Sequence, residues 1–327
     1  MAGATWAAAA AATAAPEPAI LAGVLMAGTA CAVVLLARVR HPVVIVIAVA
    51  LACGGAAAGT VASLLPMKEA IAHLQVDGGR HLRVTATVTG HLARSANGGA
   101  WFDATVSTVT AGETAVRGQI PARIGLDDDD LLDASRAGPG SEIVVAGTAI
   151  PSDSADRALL VLRATDVERA PAPEGVWAVF EALRDGLVAS TRGLPQPGAG
   201  LVPGLAVGDT SALDPATEAA MNAASLSHLT AVSGANRALV VGAAFGLFAA
   251  CGARRWMRVA GSLVLLAGFV VLVTPEPSVV RAAAMSAIAL LAVGLGRPTI
   301  GVAVLAAATT VLLIADPWLC RSLGFAL

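Results

Sequence analysis

Long apolar runs occupy both ends of the chain and leave a more polar middle. Ala19–Ala37 and Pro42–Leu65 carry no charged residue, and further runs of this kind follow residue 234. About 20 apolar residues are enough for a helix to cross the roughly 30 Å hydrocarbon core of a bilayer. Charged residues make up only 13% of the chain, against about 25% in soluble proteins. We therefore predict a polytopic α-helical membrane protein with six spanning segments.

Three of the turns that separate these runs are basic, and this predicts the orientation of the chain. Lys and Arg accumulate in short cytoplasmic loops. If the basic turns lie in the cytoplasm, residues from about 67 to 200 lie on the extracytoplasmic side of the cell membrane. No Lys or Arg precedes Arg38, so the first run is predicted to be a retained membrane helix and not a secretory signal. The turns contain Arg38, Arg40, Arg254, Arg255, Arg258 and Arg297.

The polar middle, residues 75–172, shows apolar residues at every second position. Such alternation between turn-forming residues is typical of short strands. About five strands in about 100 residues fit a small β-barrel. We therefore predict an extracytoplasmic β-barrel inserted into the membrane protein. The alternating residues include Leu82, Val84, Ala86, Val88, Phe102, Ala104, Val106, Ile143, Val145, Leu159 and Val161.

The charge of this middle segment argues against a strong stand-alone nucleic-acid binder. It has nine arginines, no lysine and thirteen acidic residues, a net charge of −4, whereas phosphate contacts dominate nucleic-acid affinity. A local stripe of Arg80, Arg83 and Arg94 is one alternative, and a structural or docking module is the other. The run Asp127–Asp130 lacks the spacing and glycine of a calcium loop and is predicted to be a solvated acidic loop.

Two helices are predicted between the middle segment and the later apolar runs. Residues 175–193 have apolar positions at three- and four-residue spacing, which indicates an amphipathic helix. The pattern fits both an interfacial helix, with Trp177 near its start, and a helix packed against the bundle. Asp214 followed by Pro215 predicts a capped start for a second helix.

Polar residues are concentrated where the next apolar run begins, between Ser227 and Arg237. Such residues are costly in hydrocarbon and usually face a bundle interior or a water-filled path. Gly234 loosens the helix and allows another backbone to approach closely. The polar members of this run are His228, Thr230, Ser233, Asn236 and Arg237.

This run and three other segments resemble the ComEC/Rec2 competence family of inner-membrane DNA-uptake proteins. Upstream, Leu201–Asp209 is similar to the lead-in of the family's competence region. Downstream, Pro275–Ala282 and Asp316–Trp318 followed by Ser322–Phe325 also match its pattern. The close resemblance covers residues of about 200–327, and the earlier part is similar in layout more than in motif.

The resemblance implies a channel for single-stranded DNA. It also implies a DNA receptor and a cytoplasmic helicase or ATPase as partners, and assembly with further copies of the chain as a homo-oligomer. It also implies an OB-like fold for the barrel. Beyond Leu327 it implies further helices and, as in many members of the family, a nuclease domain. The predicted parts are two transmembrane helices in 1–66, the barrel in 67–173, the amphipathic helix and linker in 174–200 and the start of the competence-type domain in 201–327. Helix N-termini are expected near Gly234 and Ser278, where they would add donors for phosphate groups. The residues predicted to line the channel are His228, Thr230, Ser233, Gly234, Asn236, Arg237 and Arg281, with Asp209, Glu276 and Ser278 as accessory residues.

Four other interpretations compete with a DNA channel. The polar residues could bond one helix to another, and Arg237 could pair with Glu276 or Asp209. A hydrolase is disfavoured because His228 and Ser233 do not share a helical face. A small-solute permease or a non-transporting scaffold with an outer docking barrel remains an alternative. The five histidines are not clustered and there is no phosphate-binding G-x-x-x-x-G-K-[ST] motif, so no metal, cofactor or catalytic residue is predicted.

Overall fold

The computed structural model divides the chain into two compact units. One unit is Ala7–Val179, and the other combines Met1–Trp6 with Phe180–Leu327. We refer to them as the barrel unit and the helical unit. The structure describes residues 1–15, 42–72, 80–90, 92–94, 99–112, 114–127, 138–150, 157–168, 175–209, 213–224, 234–273, 277–297 and 300–326, with isolated positions between 23 and 29.

Among the described residues, three helices precede the barrel: α1 (Ala2–Ala14), α2 (Pro42–Ala62) and α3 (Leu65–Ala72). The stretch Val46–Ile71 is long and apolar enough to cross a membrane. Gly54 lies against Ala8, where a Cβ atom would come within 3.1 Å of the alanine methyl group. Small residues therefore allow the first two helices to pack closely within this unit.

The barrel has five long strands and one short one. Strand β1 pairs with both β3 and β5, so the sheet closes on itself through β1, β3, β4, β6 and β5. All long-strand pairs are antiparallel except β4 with β6, which is parallel. This closure confirms the predicted small barrel. The strands are β1 (His81–Val88), β2 (Ala93–Arg94), β3 (Ala100–Ala111), β4 (Thr114–Leu126), β5 (Glu142–Ile150) and β6 (Leu160–Val167).

Alternating side chains fill the interior of the barrel, as the sequence pattern predicts. In β1 every second residue is buried, from Leu82 to Val88. Phe102, Ile124 and Leu162 come from three other strands and are each at most 1% exposed. Because successive side chains of a strand point to opposite faces, this alternation leaves the charged residues on the outer surface.

The helical unit contains both short and long helices. Two of its helices, Arg255–Leu272 and Pro277–Gly294, are long and apolar enough to cross a membrane, and Leu239–Ala250 and Gly301–Ala315 are shorter apolar helices. The helices are α4 (Val176–Thr191, in this unit from Phe180 onward), α5 (Gly198–Val207), α6 (Pro215–Ala223), α7 (Gly234–Ala250), α8 (Arg255–Leu272), α9 (Pro277–Gly294), α10 (Gly301–Ala315), the 3₁₀ helix η1 (Pro317–Arg321) and α11 (Leu323–Ala326).

Three candidate spans therefore occur among the described residues. Most of the first predicted run, Ala19–Ala37, lies outside them. The number of six spanning segments stays a prediction, and so does the division of the chain into four parts.

Candidate functional site in the helical unit

The polar motif before α7 is only partly within the described residues. His228, Thr230 and Ser233 lie outside them, as does Glu276. Helix α7 begins at Gly234, so the backbone of Asn236 and Arg237 forms its first turn. The first backbone N–H groups of a helix have no partner within that helix, and they favour a negatively charged group.

A second helix begins where Ser278 was expected to mark an N-terminus. Helix α9 starts at Pro277, and Ser278 is its second residue. Proline suits the first helical position because its missing N–H group would have no partner in the helix. The sequence thus predicted both helix starts, at Gly234 and near Ser278, while the role of these residues in a channel stays a prediction.

Asp209 is part of a buried ion pair with Arg184 of α4. Nε of Arg184 donates a hydrogen bond of 3.2 Å to Oδ2 of Asp209. The side chains are only 8% and 17% exposed. Nη1 of Arg184 also donates to the carbonyl oxygens of Val207, at 3.3 Å, and Leu272, at 3.4 Å. The guanidinium group therefore joins α4, the end of α5 and the end of α8.

The end of α5 brings Asp209 into this position. Gly208 has φ of +75°, and its N–H donates to the carbonyl of Gly204. Helices commonly end in this left-handed conformation, which glycine adopts without steric cost. The backbone N–H of Asp209 donates to the carbonyl of Pro203 at 3.3 Å. The turn therefore precedes directly the residue whose carboxylate bonds to Arg184.

Glu181 lies one turn before Arg184 on the same helix. Its burial raises the pKa of the carboxyl group, while the guanidinium of Arg184 lowers it and the carboxylates of Asp185 and Asp209 raise it. Burial is the largest of these causes, because a carboxylate loses hydration in low-dielectric surroundings. Two acidic side chains near Arg184 therefore differ in their ionisation. Asp209 forms a direct ion pair with Arg184, whereas burial disfavours the ionised form of Glu181.

Arg281 contacts the last helical segment of the chain. It donates a hydrogen bond to the carbonyl oxygen of Phe325, and its guanidinium carbon lies 5.9 Å from the centre of the Phe325 ring. This ring also stacks with Trp6, at 5.4 Å between centroids. Phe325 is 1% exposed. These contacts favour an anchoring role for Arg281, which the sequence assigned to the channel.

Asp316, Pro317 and Trp318 form the start of η1. Oδ1 of Asp316 accepts a hydrogen bond of 3.2 Å from the backbone N–H of Trp318, and Pro317 occupies the first turn. This arrangement satisfies one of the free donors at the start of a helix. The indole Nε1 of Trp318 is buried and has no hydrogen-bond partner within the part of the chain that the structure describes.

The outer surface of the barrel carries arginines that pair with acidic residues. Arg83, from the predicted stripe, pairs with Glu168, and Arg163 lies 3.2 Å from Asp127. Arg123 pairs with Asp103 at 3.0 Å, and its guanidinium lies 4.3 Å from the centre of the Trp101 ring. The paired side chains are between 46% and 62% exposed. Their charges are thus partly neutralised on the barrel itself.

Arg184 was not predicted to be a site residue. The sequence predicted only an amphipathic helix over residues 175–193, and it suggested Glu276 or Asp209 as the partner of Arg237. In the structure, Arg184 is buried and bonds to Asp209. No local pattern signals this contact, because Arg184 and Asp209 are 25 positions apart. Within the described ranges, no group of three or more His, Cys, Asp or Glu residues is arranged to hold a metal ion.

A comparison with known families finds a match to most of the helical unit. Residues 205–327 match the family model described as "Competence protein". A search of curated proteins finds no match for the chain. The matched residues include Asp209 and all helices from α6 onward, whereas Arg184 and the rest of α4 precede them.

Proposed function

Because residues 205–327 form a ComEC/Rec2 competence domain, we propose that the protein is a channel component that carries single-stranded DNA across the cytoplasmic membrane during natural transformation. The observation that carries this proposal is the family match. A competence domain indicates a role in DNA uptake. The DNA cargo, its route through the protein and the orientation of the protein in the membrane are inferred from hydropathy, charge and the positions of the helix starts.

A location in the membrane is supported by length and composition. Three helices are long and apolar enough to span a bilayer. Arg254, Arg255 and Arg258 flank the first turn of α8, and Arg297 follows α9. With these basic turns in the cytoplasm, the protein crosses the membrane several times. Residues of about 67–200 then lie on the outer side.

The path for DNA lies, in this proposal, along the polar motif that opens α7. Moving a polyanion requires hydrated polar groups and positive potential along the path. Asn236 and Arg237 occupy the first turn of α7, where free backbone N–H groups add donors for phosphate oxygens. Ser278 is the second residue of α9. His228, Thr230 and Ser233 complete the predicted lining.

We assign the barrel an OB-like fold and a structural or docking role. The strand order β1-β3-β4-β6-β5, closed by β1, and the single parallel pair support this fold. Binding of single strands by such folds uses a positive groove with stacking aromatic residues. The segment has a net charge of −4, and Arg83, Arg123 and Arg163 are paired with acids. These features favour contact with a protein partner over tight binding of DNA.

In this proposal, other proteins supply the energy for DNA transport and capture the DNA outside the cell. The sequence lacks the G-x-x-x-x-G-K-[ST] motif of phosphate-binding loops, so we place the motor in a separate cytoplasmic helicase or ATPase. A DNA receptor delivers the strand on the outer side. We assign no enzymatic step to the competence domain.

The proposal is tested by the entry of labelled DNA into a nuclease-protected cytoplasmic pool. The strains carry the unaltered protein, a deletion of its gene, or Asn236→Ala, with equal amounts of protein in the membrane. Loss of protected DNA in both altered strains is the expected result. Normal uptake in the deletion strain would refute the function, and Arg123→Ala on the barrel surface is the matched control that should retain uptake.

A further inference from the structure

Arg184 is a buried cation that the family match does not include. Its side chain is 8% exposed, and it lies in α4, before the matched residues 205–327. Burial of a guanidinium group is costly unless charge and hydrogen bonds compensate. Here a carboxylate and two backbone carbonyls do so. Such an arrangement indicates that the arginine holds specific segments together.

The three acceptors come from two segments that are far apart in sequence. Val207 and Asp209 flank the left-handed residue Gly208, at the end of the lead-in to the competence motif. Leu272 is the last residue of α8. The planar guanidinium has five N–H donors in a fixed geometry, so a single arginine can fix the position of one segment relative to the other.

The contact of Arg184 with α8 lies at the end of that helix that is far from its basic turn. Arg255 and Arg258 lie at the start of α8, and Leu272 is at its other end, about 26 Å from Arg255 at 1.5 Å per residue. Phe180 of α4 lies beside Gly268, one turn before that end; a Cβ atom on this glycine would be 3.7 Å from the Phe180 ring. Helix α4 therefore packs against the end of α8 opposite its basic turn.

We propose that Arg184 is a positioning residue for the competence domain: it holds the turn at Gly208 against the end of α8 and so shapes the outer end of the transport path. This inference rests on the proposed function for its consequence on transport. The positioning itself does not depend on DNA. It predicts that the working domain begins with α4, upstream of the matched residues.

The test uses the full-length protein without its native cysteines and with one reporter cysteine. Val207→Cys places a thiol beside the carbonyl that Arg184 binds, at a position that is 4% exposed. Ala308→Cys in α10, where Ala308 is 0% exposed, is the matched distant reporter. Reaction with N-ethylmaleimide is followed in detergent by mass spectrometry, and both thiols must react fully after denaturation in SDS.

Arg184→Met is expected to increase the labelling rate at position 207 by at least about tenfold, because loss of one partner of a buried pair is strongly destabilising. The rate at position 308 should change by less than about twofold, since effects of distant sites are usually independent. Arg184→Lys, which keeps the charge but loses the planar fork, should give an intermediate rate at position 207. Uptake of DNA should fall in the same order at equal membrane levels.

Three results would overturn the inference. Unchanged labelling at position 207 in Arg184→Met would exclude the positioning contact. An equal increase at both positions would mean that Arg184 supports only global stability. Increased labelling at position 207 with normal uptake, in a host whose deletion strain takes up no DNA, would exclude a role in transport. If the deletion strain takes up DNA normally, the proposed function fails, while the labelling result still decides the positioning.

Discussion

The β-barrel, from β1 to β6, and the helical unit place charge and apolar surface in opposite ways. In the barrel, Phe102 and Ile124 are buried and the charges of Arg83 and Arg163 lie in exposed pairs. In the helical unit, Arg184 is 7% exposed, whereas Leu295 and Val302 are 76% and 78% exposed. Water favours the first arrangement, and lipid favours the second. The contrast supports one part built for water and another built for a bilayer.

The largest expected effect concerns the core of the barrel. Phe102 is 1% exposed and belongs to the main apolar cluster. Phe102→Ala should lower the free energy of local unfolding of the barrel by about 3–5 kcal/mol. Hydrogen exchange of the full-length protein in detergent measures this change. Trp101→Ala, at the neighbouring position on the outer face, is the control and should cost less than half as much; equal losses would contradict the assignment of inner and outer faces.

The next largest effect is expected from breaking ion pairs, one buried in the helical unit and one exposed on the barrel. Asp209→Asn removes one partner of a buried pair and should cost about 3 kcal/mol. Asp103→Asn removes the partner of Arg123 in an exposed pair and should cost about 1 kcal/mol or less. Thermal unfolding of the full-length protein, combined with hydrogen exchange to assign the affected unit, checks both values. A larger loss from Asp103→Asn would reverse the contrast between the units.

A smaller effect is expected from the turn that presents Asp209. Gly208 has φ of +75°, a conformation that costs a residue with a Cβ atom about 1–2 kcal/mol. Gly208→Ala should destabilise the helical unit by about this amount. Gly186 lies inside α4, where an added Cβ atom would meet no other segment of the described residues within 4 Å, so Gly186→Ala should instead stabilise by about 0.4–1 kcal/mol. Opposite signs in thermal unfolding are the expected outcome, and equal signs would argue against the left-handed turn.

The smallest effect depends on pH. Burial raises the pKa of Glu181 above its ordinary value of 4.5, so the folded state binds the proton more tightly than the unfolded state. The stability associated with this proton is present below pH 4.5 and is lost as the pH rises through the raised pKa. Glu181→Gln should therefore have a higher Tm than the unaltered protein at about pH 7, and the difference should shrink toward about pH 4. Asp185→Asn, which removes an exposed charge on the same helix, should show a weaker pH dependence; a lower Tm for Glu181→Gln near neutral pH would contradict the burial.

Local patterns predicted much of the fold. Alternation identified the barrel because each strand faces one core on one side, as in β1. Asp214 and Pro215 correctly marked the start of α6, where Oδ2 of Asp214 accepts from the backbone N–H of Thr217 at 3.2 Å. These features depend on residues that are close in sequence. The closure between β1 and β3 follows from filling a small barrel with apolar side chains.

The candidate site was less accessible to sequence reasoning. Asp209 was singled out, but its partner Arg184 was not, because their pairing depends on how α4 packs against the ends of α5 and α8. Arg281 was expected to line the channel, and its hydrogen bond to Phe325 depends on a contact over 44 positions. Hydropathy shows that polar residues in apolar runs are unusual, but it does not show which groups they face.

The most direct test of the account is to identify which unit contacts DNA while it is being taken up. A photo-crosslinking amino acid would replace Asn236 in α7, Trp101 on the barrel, or Val302 on the exposed face of α10, and labelled DNA would be supplied to living cells. We expect strong crosslinks from position 236, weak or no crosslinks from position 101, and only background from position 302. Crosslinks from position 101 without any from position 236 would contradict the claim that the helical unit carries the DNA.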